Sequence, residues 1–145
     1  MAHMRKQIRE AAAAVLTGLA TSGARVYQSR VYPLRDTNIP CLLVSTDDEQ
    51  LTAQGIGSMQ LERSLKLTVR AVAKATANLD DTLDQMLAEV ETALNGNTLG
   101  GLSLNTVPES ISVQMDDSVE RPVGVATLTY AITYFTAGSN PAAPL

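Results

Sequence analysis

The chain is poor in the residues that carry most enzyme chemistry. Its 145 residues include one cysteine, Cys41, and one histidine, His3. A single cysteine excludes an internal disulfide and any CxxC or zinc-finger site. A single histidine excludes most histidine-based metal sites and nearly all histidine-dependent catalysis. There is no tryptophan, and the aromatics are four tyrosines and one phenylalanine. That is little material for stacking on nucleic acid. No apolar run approaches the ~18 residues of a membrane span. Basic residues almost vanish from the second half, where Arg121 stands alone after Lys74. The formal charge of -4 argues against nucleic acid as the main ligand.

What remains has a globular balance, with 45% hydrophobic residues, 18% charged and a mean hydropathy of +0.03. The length suits a single domain. Met1-Ala2-His3 reads as a cloning scar ahead of a native Met4. The domain is then expected over residues 4–136, with 137–145 (AGSNPAAPL) as a flexible tail. No secretion signal or disulfide framework is visible, which points to synthesis in the cytoplasm.

Ile8, Ala11, Ala12, Val15, Leu16 and Leu19 recur at helical spacing and predict a helix over Arg5 to Thr21. Gly18 is its weak spot, and Ser22-Gly23 its stop. A short strand is expected over Arg25 to Tyr32 and a buried one over Pro40 to Thr46. Asp47 to Ser58 is polar, carries Gly55 and Gly57, and reads as a twelve-residue mobile loop. Met59 to Ala73 alternates cleanly, with Met59, Leu61, Leu65, Leu67, Val69 and Ala71 on one face. At ~3.3 Å per residue it would be roughly 50 Å long, so one end should project or bend. Asn78 and Asp81 suggest a capping box for a second helix, closed by Asn95-Gly96. Asn97 to Glu109 reads as a loop that tucks in Leu99, Leu102 and Leu104. Ile111, Val113 and Met115 predict a half-buried strand, and Val123 to Thr136 a last one. The order implies an α+β fold, a largely antiparallel sheet with two helices packed on one face.

Chemistry is scarce along this layout. Cys41 lies in an apolar run and reads as a buried structural thiol. Gly55-Ile56-Gly57 lacks the Lys-Ser/Thr of a phosphate loop. Asp80, Asp81 and Asp84 could chelate a hard cation, but acids in a first helical turn more simply complement the dipole. Asp47-Asp48-Glu49 reads as a solvated cluster without further ligands nearby. Arg63 falls on the apolar face of the long strand, where a charge must pair, mark an interface or lie beyond the core. The plain reading is a bend that leaves it exposed; the other is a salt bridge between subunits. Residues 1–74 carry ten basic and six acidic side chains, whereas 75–145 carry one and nine. A chain charged +4 in one half and -8 in the other can dock on itself heterologously, and such contacts close into rings when the rotation allows.

These residues together resemble the lambda-like minor tail protein U family, the tail terminators of long-tailed bacteriophages. The resemblance runs from about Ile8 to Thr136. It is carried by Arg30-Val31-Tyr32-Pro33-Leu34, by Ile39-Pro40-Cys41-Leu42-Leu43-Val44 leading into Asp47-Asp48-Glu49, and by Leu79-Asp80-Asp81 with Leu83-Asp84, Val90-Glu91 and Leu94. Leu99-Gly100-Gly101-Leu102 and Leu128-Thr129-Tyr130 with Tyr134 complete it. It implies a non-enzymatic virion protein with no catalytic residue, cofactor or metal. Six copies would form a ring on the head-proximal end of the tail tube. The ring would stop tube growth, present a surface to the head connector and let DNA pass without sequence-specific binding. Its partners would be itself, the tube protein and the connector, with no membrane role. The residues expected at subunit or partner interfaces are Arg30, Arg35, Asp47, Asp48, Glu49, Arg63, Lys66 and Arg70. The alternatives are another head–tail joining or tail-completion protein, or a small ligand-binding domain with a pocket lined by Arg63 and Tyr130.

Overall fold

A computed structural model describes residues 2–28, 39–54, 59–74, 77–116 and 123–145. Its elements run α1 (Met4–Leu16), β1 (Val26–Tyr27), β2 (Cys41–Gln54), β3 (Gln60–Lys74), α2 (Leu79–Leu94), a 3₁₀ turn (Leu99–Gly101), β4 (Asn105–Asp116) and β5 (Val123–Ala137). The sheet order is β1-β2-β3-β5-β4. Every pairing is antiparallel except the short β1–β2 contact. This is the α+β fold that the element order implied.

The core lies between the sheet and the two helices. β3 supplies Leu65, Leu67, Val69 and Ala71, and β5 supplies Ala126, Leu128, Tyr130 and Ile132. α1 closes over them with Met4, Ile8, Ala12 and Leu16, and α2 with Leu83, Met86, Leu87, Val90 and Leu94. α1 lies against β2, and α2 lies against β3 and β5. The first residue of α2, Leu79, sits directly over Gly124. A Cβ there would stand 2.8 Å from both Leu79 Cδ atoms, so a larger residue would have to displace the tip of that side chain.

Several local expectations need correction. α1 stops at Leu16, short of Thr21: Thr17 turns to extended backbone at ψ 131°, and Gly18 follows in a left-handed conformation at φ 95°. Asn78 occupies the N-cap position of α2, but its side chain makes no capping bond; its carbonyl accepts from the Thr82 amide instead. β1 is two residues long, and the rest of the expected strand lies outside the described residues. β2 continues through Asp47 to Gln54, where a loop was expected. β4 begins at Asn105, which leaves Leu104 exposed, whereas Leu99 is buried as expected. The long strand neither projects nor bends away, because β3 is paired with β5 along its whole length, from Gln60↔Ala137 to Lys74↔Val123. Residues 137–145 turn back onto α1. The Met4 amide donates to the Pro141 carbonyl at 2.9 Å, and Gln7 Nε2 to that of Ala142 at 2.7 Å.

The far face of the sheet is dry at its β1 end. Cys41, Leu43, Val72 and Val123 cluster there, with Tyr27, Ile39 and Val125 packed around them. Burial pushes the Cys41 thiol up to about 11, against a smaller opposing pull from Arg25. Cys41 should therefore resist alkylation at pH 8 in the folded protein and react at once in 6 M guanidinium, as mass spectrometry would show. Leu67 is fully buried. Leu67→Ala should cost roughly 2–5 kcal/mol in a urea melt, and a loss below about 1 kcal/mol would contradict the core assignment.

Candidate functional site: a buried ion pair and two open sheet edges

The acidic run Asp47-Asp48-Glu49 sits on a β-bulge. Thr46 pairs with Leu67 and Glu49 with Leu65, so Asp47 and Asp48 together oppose Lys66. One extra residue inverts the alternation of the strand. Before the bulge Leu42 and Val44 face the helices; after it Glu49 does. Glu49 Oε1 accepts from Arg63 Nη1 at 2.6 Å, and Oε2 accepts from the Tyr134 hydroxyl at 2.8 Å. Arg63 Nε donates to Thr136 Oγ1 at 2.8 Å, and its guanidinium carbon lies 6.0 Å from the Tyr134 ring centroid. The Arg63 and Glu49 side chains are only 7% and 4% exposed. Burial raises the Tyr134 hydroxyl well above its ordinary value, and the hydrogen bond and charge of Glu49 raise it further.

Arg63 is therefore not exposed at a bend; it is buried, and its ion-pair partner is Glu49 of the same chain. That also removes the ligand pocket imagined around Arg63 and Tyr130. Tyr130 is fully buried and donates to Asn95 Oδ1 at 2.6 Å. Among the described residues every buried side-chain polar atom has a partner.

The other expected interface residues that the structure describes lie apart from this pair. Asp47 accepts from the Thr68 hydroxyl at 2.5 Å, and its carbonyl accepts from Arg5 of α1. Asp48 is exposed. Lys66 is ion-paired with Glu109 on the opposite face of the sheet from Arg63. Arg70 shares that face and is half-buried. Arg30 and Arg35 lie outside the described residues. The structure thus joins Arg63 to Glu49 on the helix side and, among the described residues, puts Asp47, Lys66 and Arg70 around Thr68 on the opposite face.

A different surface stands out in their place. β4 forms one edge of the sheet, and it lies outside the helical layer. Its residues Val107 to Met115 are all exposed. A second bulge at Glu109, between Pro108↔Tyr130 and Ser110↔Thr129, turns Ile111, Val113 and Met115 toward the helix side of the sheet. There they are 49%, 50% and 58% exposed. The expectation of a half-buried strand fails here, because its apolar face exists but nothing in the described chain covers it. At the other edge, β1 pairs only with Leu42 and Leu43. Beyond the bulge, Gln50 to Ala53 are exposed, and Leu51 is 51% exposed on the helix side of the sheet. Covering each of these four side chains would contribute about 1 kcal/mol, roughly half of a full burial. The sequence signal was present in the alternation of Ile111, Val113 and Met115, but alternation does not reveal whether a face is covered.

Breaking a buried pair leaves an unpaired charge, so Arg63→Leu alone should destabilise the fold by roughly 3–5 kcal/mol. Reversal to Glu, next to Glu49, should unfold the subunit outright. Arg63→Leu combined with Glu49→Leu should cost less than the two single losses added together, as a double-mutant cycle by urea unfolding would measure. Strict additivity would show that the two charges do not act as a pair.

Comparison with known proteins gives the context for these edges. A solved chain from the virion of a native gene transfer agent particle is similar at 17% identity and TM-score 0.46, covering 90% of this chain and 92% of that one. No curated protein matched by sequence. The family model for phage minor tail protein U matches residues 3–134. The chain belongs to that family, and it is a structural protein of a phage tail.

Proposed function

We propose that this protein is a tail terminator. Copies of it assemble as a ring, six in number, on the head-proximal end of a phage or prophage tail tube. The ring ends tube growth and offers the head connector a new surface. The observation that carries this reading is the uncovered apolar edge strand, β4, in a subunit of a tail protein family. A monomer that works alone hides or charges such an edge. Beyond Pro108 and the bulge at Glu109, this one keeps Ser110 to Met115 exposed and without a charge.

The mechanism is competitive capping. A growing tube end exposes subunit surface that the next tube subunit would satisfy. A ring that satisfies the same surface but presents a different outer face stops addition there. DNA passes through the lumen without being held, which suits a subunit of net charge -4. The exposed acids Asp80, Asp81 and Asp84 on α2 are the groups available to repel phosphate along that path. Synthesis takes place in the host cytoplasm, and the finished protein resides in the virion.

Purified protein mixed with polymerising tube protein should cap one end only and fix tube length, as negative-stain imaging would show. Rings that bind finished tails but leave polymerisation unchanged would favour a joining or completion role. Failure to bind tube ends at all would overturn the terminator reading.

A further inference from the structure

The ring reading leaves open how one subunit meets the next, and the two sheet edges supply a specific answer that rests on it. We propose that β4 of one subunit pairs with the β2 edge of a second copy, around Gln50 to Gln54, so that the sheet runs on from subunit to subunit.

Strand direction comes first. β2, β3, β5 and β4 alternate in direction across the sheet. β4 therefore runs opposite to β2, and a copy placed beside β4 in the same orientation presents its own β2 antiparallel to it. Because Ser112 is level with Thr127 and Leu43, and Thr52 with Phe135, the copy is also slid along the strands by the distance from Thr127 to Phe135 to bring Gln50 to Gln54 opposite Ser110 to Met115. The alternation continues across the joint without a break. Side-chain faces agree as well. Leu51 lies opposite Arg63 and so on the helix side, and Ile111 and Val113 lie opposite Leu128 and Ala126, on that same side. Joining the edges places the exposed apolar residues of both on one surface.

The charges permit the contact. Neither Gln50 to Gln54 nor Ser110 to Met115 contains a charged residue, although 18% of the chain is charged. No lysine or acid on either segment opposes pairing, which is the usual protection of an edge strand. The seam is also small. Nine exposed residues of β4 fall short of the roughly 20–30 residues a side of a standard interface. Two subunits alone would hold weakly, whereas in a closed ring each makes two seams.

Engineered cysteines test this in the full chain, since native Cys41 is buried and the unmodified protein supplies the control. Thr52→Cys would be combined in turn with Ser110→Cys, Ser112→Cys and Gln114→Cys, all on the face away from the helices, and oxidised with diamide at high protein concentration. At least one double variant should give a disulfide-linked ladder, and every single variant should stay uncrosslinked. Val113→Lys added to the linking pair should abolish the ladder with an unchanged melting temperature. A single β4 cysteine that links into dimers would indicate a two-fold β4–β4 contact and overturn the proposal. So would rings on tube ends with no ladder from any pair, which leaves the terminator reading intact. A ladder from protein that never binds tubes would keep the seam and overturn the terminator reading.

Discussion

Two short helices cannot cover this sheet. At 1.5 Å per residue the 13 residues of α1 and 16 of α2 span about 20 and 24 Å. The 15 residues of β3 and of β5 span roughly 50 Å. An apolar face that long would remain wet over much of its length. The chain meets this excess in two ways. Along the strands it replaces aliphatic packing by Arg63, Glu49, Tyr134 and Thr136, which satisfy one another. Across the strands it leaves the outermost one, β4, uncovered.

The first solution has a cost that the geometry contains. Two charges withdrawn from water lose several kcal/mol of hydration each, and only close pairing with further hydrogen bonds recovers it. Glu49 spends one oxygen on Arg63 and the other on Tyr134, while Arg63 has Thr136 as a second partner. The β2 bulge is what aims Glu49 inward; without it Asp48 would face that side, one methylene shorter. The ion pair therefore fixes the register of the β2–β3 hairpin beyond the bulge, where side-chain alternation alone would allow a slip.

Much of this was legible in the residues. β3 and β5 are long, regular and half buried, so period-two alternation placed Leu65, Leu67, Leu128 and Tyr130 correctly. α2 announced itself by its apolar stripe. The misreadings concentrate at the bulges. A polar stretch that changes parity at Asp47-Asp48 has no period to detect, and β2 beyond Thr46 passed for a loop. Arg63 was recognised as an inward charge, but its partner lies across that bulge and could not be aligned with it. Composition gave no hint that Ala137 to Leu145 packs on α1, because its contacts there run through backbone carbonyls.

An uncovered apolar edge is a hazard as well as a device, and the flanking residues decide which it becomes. Ser110 to Met115 follows the exposed Glu109, and Gln50 to Gln54 lies just beyond the exposed Asp48. Acids that border a short uncharged strand act as gatekeepers, since an out-of-register partner would have to place apolar groups beside them. The two bulges add a second restriction. Each ends the regular run of its strand, so pairing cannot propagate past Glu109 or Asp48 without meeting an irregular backbone. The length of edge open to a neighbour is thereby limited to about six residues on β4 and five on β2. A contact that short is too weak to drive indefinite aggregation between pairs, yet it is directional. It gains strength where many copies are held side by side, which is the situation at the end of a tube.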